Sequence, residues 1–182
     1  MNTMQENSET ADLKSKIGPY SNHFHNYIKL VEENDFRIGL RDQGAKAAAF
    51  FKSIPEEKLN YKYAAGKWTI KEVLQHILDA ERVFNYRALA FARKEKAPLP
   101  SFDENNYTAN SHADTRSGTE LIEEFIALRK STEMLFNSFT DEDLNSTGIA
   151  SGNQISVHAI GYITVGHVLH HINIIRERYL SI

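Results

Sequence analysis

The sequence predicts an all-α protein, a four-helix bundle with long connections. Three observations predict it. Apolar residues recur at spacings of three, four and seven along four long segments. The four prolines and nine glycines are few for 182 residues and cluster between those segments. Strand-like alternation is sparse, and no internal repeat is present.

Residues 1–17 are polar and are expected to form a mobile N-terminus, leaving 18–182 as one bundle domain. Pro19 and Tyr20 open the ordered part. Tyr27, Ile28, Leu30 and Val31 form an apolar lead-in expected to pack across the bundle. Asn34 and Asp35 are good N-cap types for a first long helix carrying Phe36, Ile38, Leu40, Ala47, Phe50, Phe51 and Ile54, which Pro55 stops. Thr69 and Glu72 match a capping box, in which each side chain satisfies an otherwise unpaired backbone N–H. The second helix runs from there to about Arg93, with Ile70, Val73, Leu74, Ile77, Phe84 and Phe91 as its stripe. Pro98 and Pro100 break it, and the connection continuing to Arg116 is long enough to suggest a functional loop. Ser117 and Glu120 repeat the capping-box pattern ahead of a third helix, which reaches about Phe139. A second connection, 140–152, holds a short turn around Asp141 to Leu144. Ser156 can cap the last helix, which runs to about Tyr179.

Composition narrows the function. Hydrophobic residues make up 41% and charged residues 25%, the balance of an ordinary globular domain. There is no cysteine, which excludes disulfides, Cys-ligated zinc, iron–sulfur clusters and a cysteine nucleophile. The formal charge is −3 and no Lys/Arg-rich cluster occurs, so no nucleic-acid partner is expected. No apolar run approaches a membrane span, and Met1 to Ala11 lacks a basic region followed by an apolar stretch; a cytoplasmic protein is expected.

The eight histidines are the informative feature. His23, His25, His112 and His158 sit near loops or helix starts and read as solvated polar residues. His167 and His171 are four apart, so they project from one helix face about a turn apart. Helical spacing from His167 reaches Ile160, Ile163 and Ile174, which turns the pair inward, where two uncompensated imidazoles would be costly. Two readings stay open: core histidines hydrogen-bonded to neighbours, or two ligands to one metal ion. His76, at the edge of the second helix's stripe, can meet the pair across the bundle. Three imidazoles would leave a coordination position for water or substrate, the arrangement of a catalytic rather than a structural site. Imidazole suits zinc, nickel, iron or copper. His170 lies on the flank.

The segments Gly66-Lys67-Trp68-Thr69-Ile70-Lys71-Glu72-Val73-Leu74-Gln75-His76 and Gly166-His167-Val168-Leu169-His170-His171-Ile172 resemble the DinB-like, or YfiT-like, superfamily of metal-binding four-helix bundles. The Pro98-Leu99-Pro100, Phe102-Asp103-Glu104-Asn105 and Gly148-to-Gly152 blocks look like one subgroup of it. The resemblance spans about Pro19 to Leu180. It implies one divalent ion (zinc, nickel, iron or manganese) held by His76, His167 and His171, with His170 as the neighbouring non-ligand. It also implies a homodimer and, in part of the family, thiol-S-transferase activity; a stress-response role belongs with the name. With no cysteine in this chain, a low-molecular-weight thiol would come from outside. The leading expectation is therefore a metal-dependent transferase acting on a small molecule. A metal-dependent hydrolase and a non-catalytic, metal-braced dimer are the alternatives.

Other polar groups are weaker candidates for substrate contact. Asp103, Glu104 and Tyr107 lie in the long loop, where capping and solvation explain such residues as well. Arg87 and Arg178 fall near the metal-bearing faces by helical spacing and could bind a substrate carboxylate or form ion pairs. Trp68 reads as a packing anchor, and Phe50, Phe51 and Phe84 as core.

Overall fold

The computed structural model describes residues 13–181. Its helices are α1 (His25–Lys29), α2 (Phe36–Lys52), α3 (Ile70–Ala92), α4 (Glu104–Ala109), α5 (Gly118–Asn137), α6 (Asp141–Leu144) and α7 (Val157–Ile174), with a hairpin of β1 (Thr147–Ala150) and β2 (Asn153–Ser156) before α7. The four long helices, α2, α3, α5 and α7, form the bundle. Their starts follow the sequence. Asp35 caps α2 through its carboxylate, and Thr69/Glu72 and Ser117/Glu120 both form reciprocal capping boxes. Ser156 caps α7 by accepting from the Ala159 N–H. After Ile174 the last helix widens into a π turn, Ile175–Leu180.

In the bundle, α2 packs on α5 and α7, and α3 packs on the same two helices. The successive long helices α2 and α3 thus lie diagonally, as do α5 and α7. The α2–α3 and α5–α7 connections must therefore cross an end of the bundle rather than turn back on a neighbour, whereas the connection from α3 to α5 joins helices that pack together.

The interior has two apolar halves. Phe36, Phe91, Phe136 and Tyr162 anchor one, and Phe51, Leu74, Ile77 and Phe125 the other. A polar seam divides them. On one side of it Arg129 of α5 donates Nε and Nη2 to the two carboxylate oxygens of Glu81 on α3, at 3.0 and 2.8 Å, and Nη1 to Gln43 on α2 at 2.7 Å. Thr132 donates to Glu81 as well, at 2.7 Å. Every partner is buried, so the ion pair is matched by hydrogen bonds on both members.

Three expectations need correction. Residues 1–12 of the expected mobile terminus lie outside the described residues, but the segment that follows is tied to the bundle. Leu13–Lys16 make a 3₁₀ turn, Lys14 reaches the Val31 carbonyl, and Ile17 is buried with its carbonyl accepting from Ser156 Oγ. His158, expected to be solvated, is buried beneath that segment, with Nδ1 3.2 Å from the Lys16 carbonyl and Phe36 and Tyr162 against its ring. The second connection holds more than a turn: Ser151 and Gly152, both at positive φ, link the antiparallel strands as a two-residue hairpin. Leu99 pairs with the outer edge of β1, which ties this hairpin to the loop after α3.

Candidate metal centre

The neighbouring helices α3 and α7 bring His76, His167 and His171 together at the polar seam. Nε2 of His76 and Nε2 of His171 each lie 3.1 Å from Nε2 of His167, and the three donor atoms lie within 4.8 Å of one another. Hydrogen bonding accounts poorly for this convergence. One ring nitrogen of a neutral imidazole either donates or accepts, so His167 Nε2 cannot serve both neighbours well. A cation accepts all three lone pairs at once. Imidazole nitrogens about 2.0–2.1 Å from a metal stand about 2.8–3.4 Å apart in octahedral or tetrahedral geometry, which brackets the two 3.1 Å spacings to His167.

The electrostatics agree. Burial pushes His76 down to about 4. Burial, reinforced by the neighbouring rings, holds His167 and His171 well below the usual imidazole range. All three are therefore neutral at pH 7, the form that ligates metals. Nδ1 of His171 is buried without a partner.

The cluster opens on a cavity of about 390 Å³. Its wall is largely aromatic. Trp68 lies 4.9 Å from the His76 ring, while Tyr27 and Phe84 meet His167 edge-on at 5.5 and 5.6 Å. Tyr27 comes from α1, which can approach because α7 carries glycine at 166; a Cβ there would stand 2.0 Å from the Tyr27 carbonyl oxygen. Burial, aided by the charge of Glu104, raises the Tyr27 hydroxyl and keeps it protonated. Trp68 also packs on the second apolar half, so it is anchor and wall together; Phe84 likewise serves both core and wall.

The structure separates the remaining candidates. Glu104 lines the cavity, the one carboxylate among its described wall residues, and Arg87 lines it too. Asp103 instead caps α4, accepting from the Asn105 and Asn106 N–H groups. Tyr107 is exposed and packs on Phe102. His170 is half-buried against Tyr27 and stays out of the wall. Arg178, expected near the metal-bearing face, is exposed on the π turn and away from the cavity, which extends from the histidines toward the hairpin at the other end of α7. Of the histidines set aside, His23 is exposed but sits on the cavity rim, while His25 and His112 are exposed away from it. Tyr27, Phe24, Ser151 and Asn153 also line the cavity and were not anticipated. The Ser-Gly pair at 151–152 was the available signal for the hairpin; nothing local marked the lead-in as part of a site.

The DinB superfamily profile matches residues 40–175. A Bacillus licheniformis protein named "Putative metal-dependent hydrolase" is 27% identical over 120 residues, 64% of this chain and 68% of that one. Among solved structures, YfiT from Bacillus subtilis superposes with a TM-score of 0.68 at 18% identity, covering 90% of each chain. It is described as a probable metal-dependent hydrolase with an unusual four-helix bundle topology, and at this identity the match carries the fold.

Proposed function

The chain belongs to the DinB superfamily, and from that premise we propose that His76, His167 and His171 hold one divalent metal ion at the floor of a substrate cavity, in an enzyme that transfers a group between small molecules. The observation that carries this reading is the convergence of three neutral Nε2 atoms at the wall of a cavity rather than in sealed core. A bracing metal would need a closed donor set; three ligands beside a cavity fit a catalytic site.

When bound, the ion would supply Lewis-acid activation, lowering the pKa of a nucleophile at neutral pH. The chain's own residues do the rest. The three imidazoles donate without first losing a proton. Glu104 is the wall group able to accept a proton from the nucleophile, and Tyr27 offers a hydroxyl that stays protonated. Aromatic side chains exclude bulk water from the reacting end.

Two nucleophiles suit such a site. Water makes the protein a hydrolase, the reading that the names of both relatives favour. An external thiol makes it a transferase, the reading that the sequence resemblance favours. Dimerisation is proposed on the same resemblance.

Elemental mass spectrometry on untagged protein tests the centre. About one ion per chain is expected, with loss in His167→Ala. A wild type that stays metal-free after incubation with zinc, nickel, manganese and iron overturns the reading. With metal loaded, a bimane electrophile consumed only when a small thiol is present identifies a transferase; thiol-independent cleavage of an ester or amide identifies a hydrolase.

A further inference from the structure

Arg87 is the one guanidinium among the described wall residues of the cavity, and the metal chemistry does not use it. It lies eleven residues after His76, three turns along α3 and on the same face, about 16 Å along the axis. Ala80 and Phe84 line the cavity between them. Only 5% of Arg87 is exposed. A buried guanidinium is normally paired with a carboxylate, as Arg129 is here with Glu81. Arg87 has no such partner among the described residues. Its Nη2 donates to the Pro100 carbonyl at 2.8 Å and to Ser151 Oγ at 3.0 Å. Phe102 lies under the guanidinium at 5.9 Å. These contacts tie the loop after α3 to the hairpin and fix the plane of the group. They leave the Nε and Nη1 donors without an acceptor among the described residues. Glu104, the one carboxylate among the described wall residues, forms no ion pair with Arg87, and the two hydrogen bonds of Arg87 go to uncharged acceptors.

The cavity therefore has a reactive pole at the histidines, an apolar aromatic middle and a fixed, uncompensated cation at its far end. From this we infer that the substrate is a small organic anion, an apolar body carrying a carboxylate or phosphate head group that docks on Arg87 and so presents its other end to the metal centre. Arginine suits the role because its donors are planar and held in one orientation, which matches an oxyanion. The inference rests on the cavity being the substrate site proposed above, but the anion contact itself does not need the metal.

Binding to metal-free protein tests it apart from the metal reading. The probes are 3-phenylpropionate, its neutral amide and phenyl phosphate. The readouts are calorimetry and the fluorescence of Trp68, the single tryptophan, which lines the cavity. Wild type is expected to bind at least one anion tenfold or more tighter than the amide; the tighter anion identifies the head group. Arg87→Gln is expected to abolish that preference while leaving amide affinity within about twofold. If Arg87→Gln does not give a native circular-dichroism spectrum, Arg87→Met is read in its place. Equal affinity of amide and both anions in wild type overturns the inference, as does an anion preference that survives the substitution. Metal content, measured on separate samples, reports on the centre independently, so loss of one reading does not mimic loss of the other.

Discussion

Gly166 stands where the backbone of α1 crosses α7, and its missing side chain is what lets Tyr27 reach the histidines. Gly166→Ala would press a methyl group to 2.0 Å from the Tyr27 carbonyl oxygen. Backbone cannot yield as a side-chain tip would, so α1 must move. We expect a loss of about 1–3 kcal/mol in urea denaturation, of the size of core overpacking, together with weakened metal binding as Tyr27 leaves His167. Unchanged stability would show that the close approach is not needed. His158 makes a different prediction. Burial lowers its pKa from 6.5, opposed by the Lys16 carbonyl and Asp35, with Arg37 and Asp141 also acting on it. The folded protein thus binds fewer protons here than the unfolded chain, and stability must fall as pH drops below about 6.5. His158→Gln should flatten the stability–pH curve between pH 6.5 and 5; a slope identical to wild type would mean that the ring charges without cost.

At the scale of elements, Arg129, Glu81 and Gln43 join α5, α3 and α2 across the seam. Removing one member of a buried pair strands the other's charge, so Glu81→Gln or Arg129→Met alone should cost about 3–5 kcal/mol. Replacing both with apolar residues, Glu81→Leu with Arg129→Met, should recover most of that loss. A double variant as unstable as the sum of the singles would show that the pair itself, not the stranded charge, holds the helices. None of this network was legible in the sequence, because it depends on which helices are neighbours, and the diagonal placement of α2 and α3 carries no local mark. By contrast the helix starts were legible, since capping boxes are local chemistry written within four residues. The histidine pair was legible for the same reason: a spacing of four fixes a shared face. His158 was misread because the groups against it, the Lys16 carbonyl and the Phe36 ring, come from more than a hundred positions away in the chain. The hairpin was missed because four-residue strands containing Gly148 carry little alternation.

For the molecule as a whole, a ligand that binds only the folded state stabilises it by mass action. Metal at a hundredfold excess over its Kd adds about 2.7 kcal/mol, which for a chain of this size should raise Tm by about 5–10 °C. Calorimetric scans with and without added metal should show that rise in wild type and none in His167→Ala. A rise in both proteins would place the binding elsewhere. Among the described residues no helix is long and apolar enough to cross a membrane.

The diagonal placement of successive helices bears on when the centre can come into being. His76 and His167 are 91 positions apart, and α5, the long helix between them, contributes none of the three proposed ligands. While the ribosome is still translating α5, the chain carries only one of the three proposed ligands. An ion held at the proposed centre would then wait for α7 to emerge and insert, joining a nearly finished bundle rather than serving as a seed for its collapse.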